Sequence, residues 1–296
     1  MTNSKTPFLE NNAQSLNWLA IAVTAEPEQE ELLYDMLTER RFSGWVVEAD
    51  APRLVWVCYL PCESGWEIRL SSLKDALVPL GMGVEVRGSV RDEDWANCWK
   101  QDYHVRSLGQ TLVICPSWEN YEAQPGQNVL LMDPGMAFGT GLHGSTSSCL
   151  LLLEEYLLEH KAQRALDVGT GSGILAIAAA KLGVPHILAS DNDPVAVRTA
   201  QENVDRNGVQ DKISVMEFEG VPEGEYDLVA ANIVAAVHVS LAADYARAVV
   251  KGGRLIVSGI IDFRRNEVLG ALHGQGFMLE KEVAEDEWVS LRMVRQ

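Results

Sequence analysis

Residues Asp167-Val168-Gly169-Thr170-Gly171-Ser172-Gly173 continue the β-type run that starts at Ala165 and precede a run of helical spacing that begins near Ile174. A strand, a glycine-rich turn and a helix in that order open a parallel α/β sheet. The glycines let the backbone turn tightly and approach a ligand with no Cβ in the way. The N–H groups at the helix start suit a polar or anionic ligand group. The spacing is GxGxG, not the GxGxxG that cradles a pyrophosphate. Asp191, in Ala189-Ser190-Asp191-Asn192-Asp193, ends the next strand 22 residues after Gly169. A carboxylate at that position accepts hydrogen bonds from both hydroxyls of an adenosine ribose. Asp193-Pro194 reads as the N-cap and first residue of the helix that follows, which gives Asp193 a structural role.

Outward from this turn the pattern keeps alternating. Helices are expected at 174–182, 194–207, 235–250 and 263–273, and strands at 186–190, 213–217, 227–230 and 254–258. Upstream, 111–115 and 129–132 read as strands, 133–144 as a glycine-rich loop and 147–160 as a helix. At the end, 277–283 and 288–294 flank the acidic turn Glu285-Asp286-Glu287 and read as a β-hairpin. A doubly wound sheet closed by a hairpin fits methyltransferases better than dehydrogenases.

The first 90 residues are of another kind. After a polar tail at 1–15, strands at 17–24, 45–48, 54–57 and 84–86 combine with helices at 27–40 and 66–80. The order β-α-β-β-α-β is that of a small α+β, ferredoxin-like unit. About 75 residues can fold alone but leave little room for a catalytic cleft, so recognition is the expected role. This module holds thirteen acids and seven bases. Residues 91–104 form a linker helix with Trp95, Trp99 and Tyr103 at i, i+4 and i+8, an amphipathic connector in preference to a substrate-contacting aromatic row. The expected domains are 1–90 for substrate recognition and 105–296 for catalysis.

Composition narrows the function. The 296 residues are 47% hydrophobic and 22% charged, with a net charge of −18. A free-standing nucleic-acid binder normally carries a basic footprint, so direct nucleic-acid contact is not expected; the acidity suits a basic partner. No apolar run reaches about 18 residues, and the start lacks a signal-peptide pattern, so neither a membrane span nor secretion is expected. Cys58, Cys62, Cys98, Cys115 and Cys149 are odd in number and form no CxxC, and the six histidines are scattered. A reducing cytoplasm and no metal follow as expectations.

Two further segments carry chemistry. Asp133 to Thr146 holds four glycines in fourteen residues, a loop expected to close over a ligand. Within it Phe138 either caps that ligand or packs, and His143 is a hydrogen-bonding surface residue in preference to a base. Asn232-Ile233-Val234-Ala235 follows the strand 226–231, beside the crevice of a doubly wound sheet. An amide and backbone carbonyls there accept hydrogen bonds from an amine and aim its lone pair. The alternative is an asparagine that caps the next helix.

Taken together, these motifs resemble one family. The loop Asp133-Pro134-Gly135-Met136-Ala137-Phe138-Gly139-Thr140-Gly141, His143, the DVGTGSG segment, Ser190-Asp191-Asn192-Asp193 and Ala231-Asn232-Ile233 look like the bacterial methyltransferases that modify protein eleven of the large ribosomal subunit (PrmA type). Trp95, Trp99, His104 and Ile114-Cys115-Pro116-Ser117-Trp118 also match, so the resemblance runs from about residue 92 to the end. It implies a doubly wound class I methyltransferase sheet of seven strands with a C-terminal hairpin. It implies S-adenosylmethionine as donor, with Thr146, Gly169, Asp191 and Asn232 as cofactor contacts, position by position. Phe138, Thr140 and Gly171 are expected to join them from the loop and the glycine turn, and Asn232, which aims the amine, is the expected catalytic residue. It further implies N-methylation of lysine side chains and the N-terminal amine of a basic ribosomal protein by a cytoplasmic enzyme, expected to be monomeric. Ser145-Thr146 stands where the family has two threonines, and Asn-Ile-Val-Ala where Asn-Ile-Leu-Ala is common; neither change removes a functional group.

Three other classes share parts of this pattern. A nicotinamide dehydrogenase disagrees with GxGxG and the hairpin. An adenine-N6 methyltransferase would follow Asn232 with Pro-Pro and an aromatic. A non-enzymatic binding module would be expected to have lost the glycines or Asp191.

Overall fold

The computed structural model describes residues 17–26, 29, 32–33, 36–37, 40, 43–50, 53–62, 65–91, 103–133, 141 and 143–296. Most of the helix expected over 27–40 and of the connector over 91–104 lies outside them, as do Trp95, Trp99, Phe138 and Thr140. The chain divides into two compact units, Met1–Asp102 and Tyr103–Gln296.

In the first unit, β1 (Asn17–Ala25), β2 (Ser43–Asp50), β3 (Arg53–Pro61) and β4 (Gly83–Arg91) form an antiparallel sheet of order β2-β3-β1-β4. That is the strand order of a ferredoxin-like fold. Period-two alternation decides which face is buried. Ile21, Val23 and Ala25 of β1 and Trp56, Cys58 and Leu60 of β3 point into one core. Leu73 and Leu77 of α1 (Trp66–Leu77) meet them there, with Leu33 and Leu37. Each fully buried leucine contributes about 1.5–3 kcal/mol.

The second unit begins with β5 (Arg106–Leu108), β6 (Leu112–Cys115) and β7 (Asn128–Leu131), a small sheet in that order. After α2 (Gly144–Glu159) comes the main alternation: β8 (Arg164–Val168), α3 (Ile174–Lys181), β9 (His186–Asp191), α4 (Pro194–Arg206), β10 (Ile213–Glu217), β11 (Tyr226–Asn232), α5 (Ala235–Ala248), β12 (Val249–Ile261), α6 (Arg265–Gly274), β13 (Phe277–Glu285) and β14 (Trp288–Arg295). The seven strands run β10-β9-β8-β11-β12-β14-β13, parallel except that β14 is antiparallel to both neighbours. The chain order reverses between β8 and β11, and a crevice opens at the carboxyl ends of strands at such a point.

Two cores sandwich this sheet. Ala165, Leu228 and Ala230 face one with Leu150, Leu153 and Leu157 of α2 and Ile177 of α3. Leu166, Val168, Val229 and Ala231 face the other with Ala242 and Tyr245 of α5 and Val268 and Leu272 of α6.

One buried acid ties the small sheet to α2. Glu154 is 2% exposed. Its carboxylate accepts from the N–H groups of Gln110 (2.8 Å), Thr111 (2.6 Å) and Leu112 (3.1 Å) and from the Thr111 hydroxyl (2.7 Å). Glu154→Ala orphans these donors and is expected to destabilise the protein by about 3 kcal/mol. Urea unfolding checks this; a loss below about 1 kcal/mol would show that water replaces the carboxylate at no cost.

Candidate active site at the carboxyl edge of the sheet

The glycine-rich turn lies where β8 ends. Gly169, Gly171 and Gly173 have φ of 67°, 54° and 84°, the left-handed region. Gly169 is doubly constrained, because a Cβ there would sit 2.5 Å from Ile233 Cγ2. The turn is braced from two sides. Thr170 N–H donates to Ser190 O (2.9 Å), and Asn203 Nδ2 on α4 donates to Ser172 O (2.8 Å).

Asp191 ends β9 beside this turn. Its Oδ2 accepts from Gly171 N–H (2.9 Å) and its Oδ1 from Asp193 N–H (3.0 Å), and Asn192 N–H adds a further backbone hydrogen bond to the carboxylate. Four lone pairs against three backbone donors leave acceptor capacity for a ligand. Burial pushes its pKa up. Asp193 Oδ1 accepts from Val195 N–H at 2.8 Å and caps α4, the structural role expected of it.

Asp167 escaped the sequence reading. It is 2% exposed, and its Oδ2 accepts from the Thr170 hydroxyl (2.6 Å) and Ala176 N–H (3.2 Å). Its Oδ1 has no partner among the described residues, and burial pushes its pKa up to about 7. The available signal was an acid two residues before the first glycine of GxGxG, next to a strand end, where a polar side chain has no reason to be buried unless it serves the turn.

Across the switch point, Asn232 ends β11. Its Nδ2 donates to Thr146 Oγ1 at 3.1 Å, and its Oδ1 is buried with no partner among the described residues. Thr146 is fully buried in the first turn of α2. The capping alternative for Asn232 does not hold: the N-cap of α5 is Val234, and no side chain caps it. Gly259 on β12 permits the close fit, since a Cβ there would lie 2.5 Å from Ile233 O and 3.1 Å from Asn232 Oδ1.

His143 is the N-cap of α2, its Nδ1 accepting from Ser145 N–H at 3.3 Å. Its ring meets Trp288 edge-on at 4.7 Å, and burial holds its pKa down. A neutral imidazole spent on a helix start is a structural group; the hydrogen-bonding role expected from the sequence is present, but the side chain is partly buried and not a surface residue. The start of the loop is anchored as well. Asp133 accepts from Ser117 N–H and Oγ, both at 2.7 Å, and lies 3.6 Å from Arg206.

These residues form a polar, partly buried edge with spare acceptor capacity on the Asp191 carboxylate and a buried Asn232 Oδ1 that has no partner among the described residues. The edge suits a nucleoside with a hydroxylated sugar and a nitrogen-bearing group beside it. A sheet of this order with that edge defines an S-adenosylmethionine-dependent methyltransferase. A family model described as "Ribosomal protein L11 methyltransferase (PrmA)" matches residues 56–296. Ribosomal protein L11 methyltransferases of Chloroflexus aurantiacus and Pelotomaculum thermopropionicum are 42% and 40% identical, covering 94% and 93% of this chain and 98% of each relative. The crystal structure of a ribosomal protein L11 methylase from Lactobacillus delbrueckii subsp. bulgaricus superposes with a TM-score of 0.61 at 34% identity, covering 66% of this chain and all of that one. The chain belongs to the ribosomal protein L11 methyltransferase family.

Among the described residues, no helix is long and apolar enough to cross a membrane, and no group of three or more His, Cys, Asp or Glu is arranged to hold a metal ion.

Proposed function

We propose that this enzyme N-methylates lysine side chains and the N-terminal amine of ribosomal protein L11, with Asn232 as the catalytic residue. The unpartnered, buried Oδ1 of Asn232 at the carboxyl end of β11 carries this reading. S-adenosylmethionine, when bound, supplies an electrophilic methyl group on a sulfonium. Asp191 holds the ribose hydroxyls. Gly169 and Gly171 keep the turn free of side chains, and Asp167 accepts from the cofactor's cationic end through the oxygen that lacks a partner. Phe138 and Thr140 join the cofactor contacts on the strength of the loop motif.

The acceptor amine must be neutral, and a free lysine has a pKa of about 10.4. Desolvation at the partly buried edge lowers it. Asn232 Oδ1 then accepts one amine N–H and turns the nitrogen lone pair toward the reaction axis. Thr146 fixes the amide's other end. Positioning supplies most of the acceleration, and the proton leaves to water without a dedicated base. Residues 1–90 dock the substrate, and 91–104 link the two parts. The enzyme works as a cytoplasmic monomer without touching RNA.

Incubation with labelled S-adenosylmethionine and purified L11, followed by mass spectrometry, tests the reaction. Label on lysine ε-amines and the N-terminus is expected; label on RNA, or on another side-chain type, would overturn the reading. Asp191→Ala is expected to weaken S-adenosylmethionine binding about 10- to 100-fold, the range for lost hydrogen bonds to a charged group. Calorimetry reads it, and unchanged affinity would remove Asp191 from the site.

A further inference from the structure

His238 on α5 is fully buried and has no part in the chemistry above. Its Nε2 lies 2.8 Å from the carbonyl oxygen of Ser258. A carbonyl only accepts, so Nε2 carries the proton. Its Nδ1 faces the hydroxyl of the fully buried Tyr245 at 3.2 Å and accepts from it. Burial pushes the imidazole pKa down to about 4, which keeps the ring neutral and the tautomer fixed near neutral pH.

The carbonyl it meets is a junction. Ser258 O also accepts the Ile233 N–H at 3.2 Å, and Ser258 stands opposite Asn232 in the register of β11 and β12. The Ser258 hydroxyl donates to Ser145 O at 2.7 Å and lies 2.6 Å from Ser290 Oγ, which is 2.7 Å from Ser148 Oγ. Ser258 therefore grips two turns at once. Its carbonyl holds the turn that carries Asn232, and its hydroxyl holds the turn that carries Thr146. The bond from Asn232 Nδ2 to Thr146 Oγ1 spans those same two turns.

We propose that His238 is a positioning residue for methyl transfer: its Nε2–H, through the Ser258 carbonyl, fixes the 232–234 turn against β12 and so aims Asn232 Oδ1. The proposal rests on the catalytic reading of Asn232. Removing the imidazole leaves the Ser258 carbonyl with one donor fewer and a void beside the turn. Small displacements of a group that orients reactants are costly in rate and cheap in binding.

The test is a double-mutant cycle in the full-length enzyme with L11 as substrate. His238→Leu is expected to lower kcat about 10- to 100-fold while the S-adenosylmethionine Kd stays within about twofold. His238→Gln presents an amide N–H near the place of Nε2 and is expected to return kcat to within about threefold of wild type. In an Asn232→Ala background, His238→Leu is expected to change kcat by less than about twofold, because the two act as a unit. If the two losses multiply, or if leucine and glutamine are equally damaging, the proposal is overturned. Wild-type kcat in His238→Leu, with kcat lost in Asn232→Ala, overturns it alone; wild-type kcat in Asn232→Ala overturns the catalytic reading and the proposal with it. Should His238→Leu not fold, His238→Asn, too short to reach Ser258 O, replaces it with the same expected outcomes.

Discussion

Asn232→Ala is expected to lower kcat for L11 methylation by about 10²–10³-fold, the range for removing one preorganised polar group from a reaction centre. The S-adenosylmethionine Kd should move by less than about fivefold, since one uncharged hydrogen bond is worth roughly 1 kcal/mol or less in binding. The asymmetry follows from the geometry. Asn232 Nδ2 is already engaged by Thr146, so the side chain has one free function, the acceptor Oδ1. An acceptor at that position does most when an amine must be held with its lone pair in line. Asn232→Asp separates geometry from charge. A carboxylate keeps the acceptor but stabilises an ammonium, which raises the acceptor amine's pKa and moves the optimum of kcat to higher pH. Steady-state kinetics with purified L11 at several pH values reads both variants. Unchanged turnover in Asn232→Ala would mean that the amine is oriented from elsewhere.

What the sequence disclosed here was local. The turn after β8, the acid at the end of β9 and the hairpin at the end of the sheet each rest on a few adjacent residues whose chemistry is explicit. Boundaries set by tertiary contact were not legible. The strand expected at 254–258 runs as β12 from Val249 to Ile261, through Gly252 and Gly253 and into the end of the helix expected over 235–250. Val249 pairs with Tyr226 of β11, the register then shifts, and pairing with both β11 and β14 runs on from Arg254. The helix expected from 147 starts at Gly144, because His143 caps it and its serines return their hydroxyls to backbone carbonyls in the first turn. β5, three residues long, carries no periodicity to detect. The supports of the candidate site were hidden for the same reason. Glu154 serves a turn more than 40 residues away, and His238 reaches a carbonyl 20 residues on. Such pairs become visible only when the sheet brings them together.

Deleting the first unit is expected to leave cofactor binding and abolish useful activity on L11. Each sheet lies within one unit, and the glycine turn, Asp191, Thr146 and Asn232 all belong to Tyr103–Gln296. A chain beginning at Tyr103 should bind S-adenosylmethionine within about threefold of the full-length affinity. Its kcat/KM on intact L11 should fall at least about 100-fold, because docking energy from a remote surface is lost from the transition state. On a short lysine peptide, which has little to dock, the two proteins should perform alike. Charge makes the effect salt-sensitive: residues 1–90 carry thirteen acids and seven bases, and their attraction for a basic protein weakens as salt rises from about 50 to about 300 mM and the Debye length shrinks. The full-length enzyme should therefore lose apparent affinity for L11 over that range, while its activity on the peptide changes much less. If the shortened chain methylates intact L11 as well as the full chain does, the first unit does not dock the substrate, and its acidity serves solubility alone.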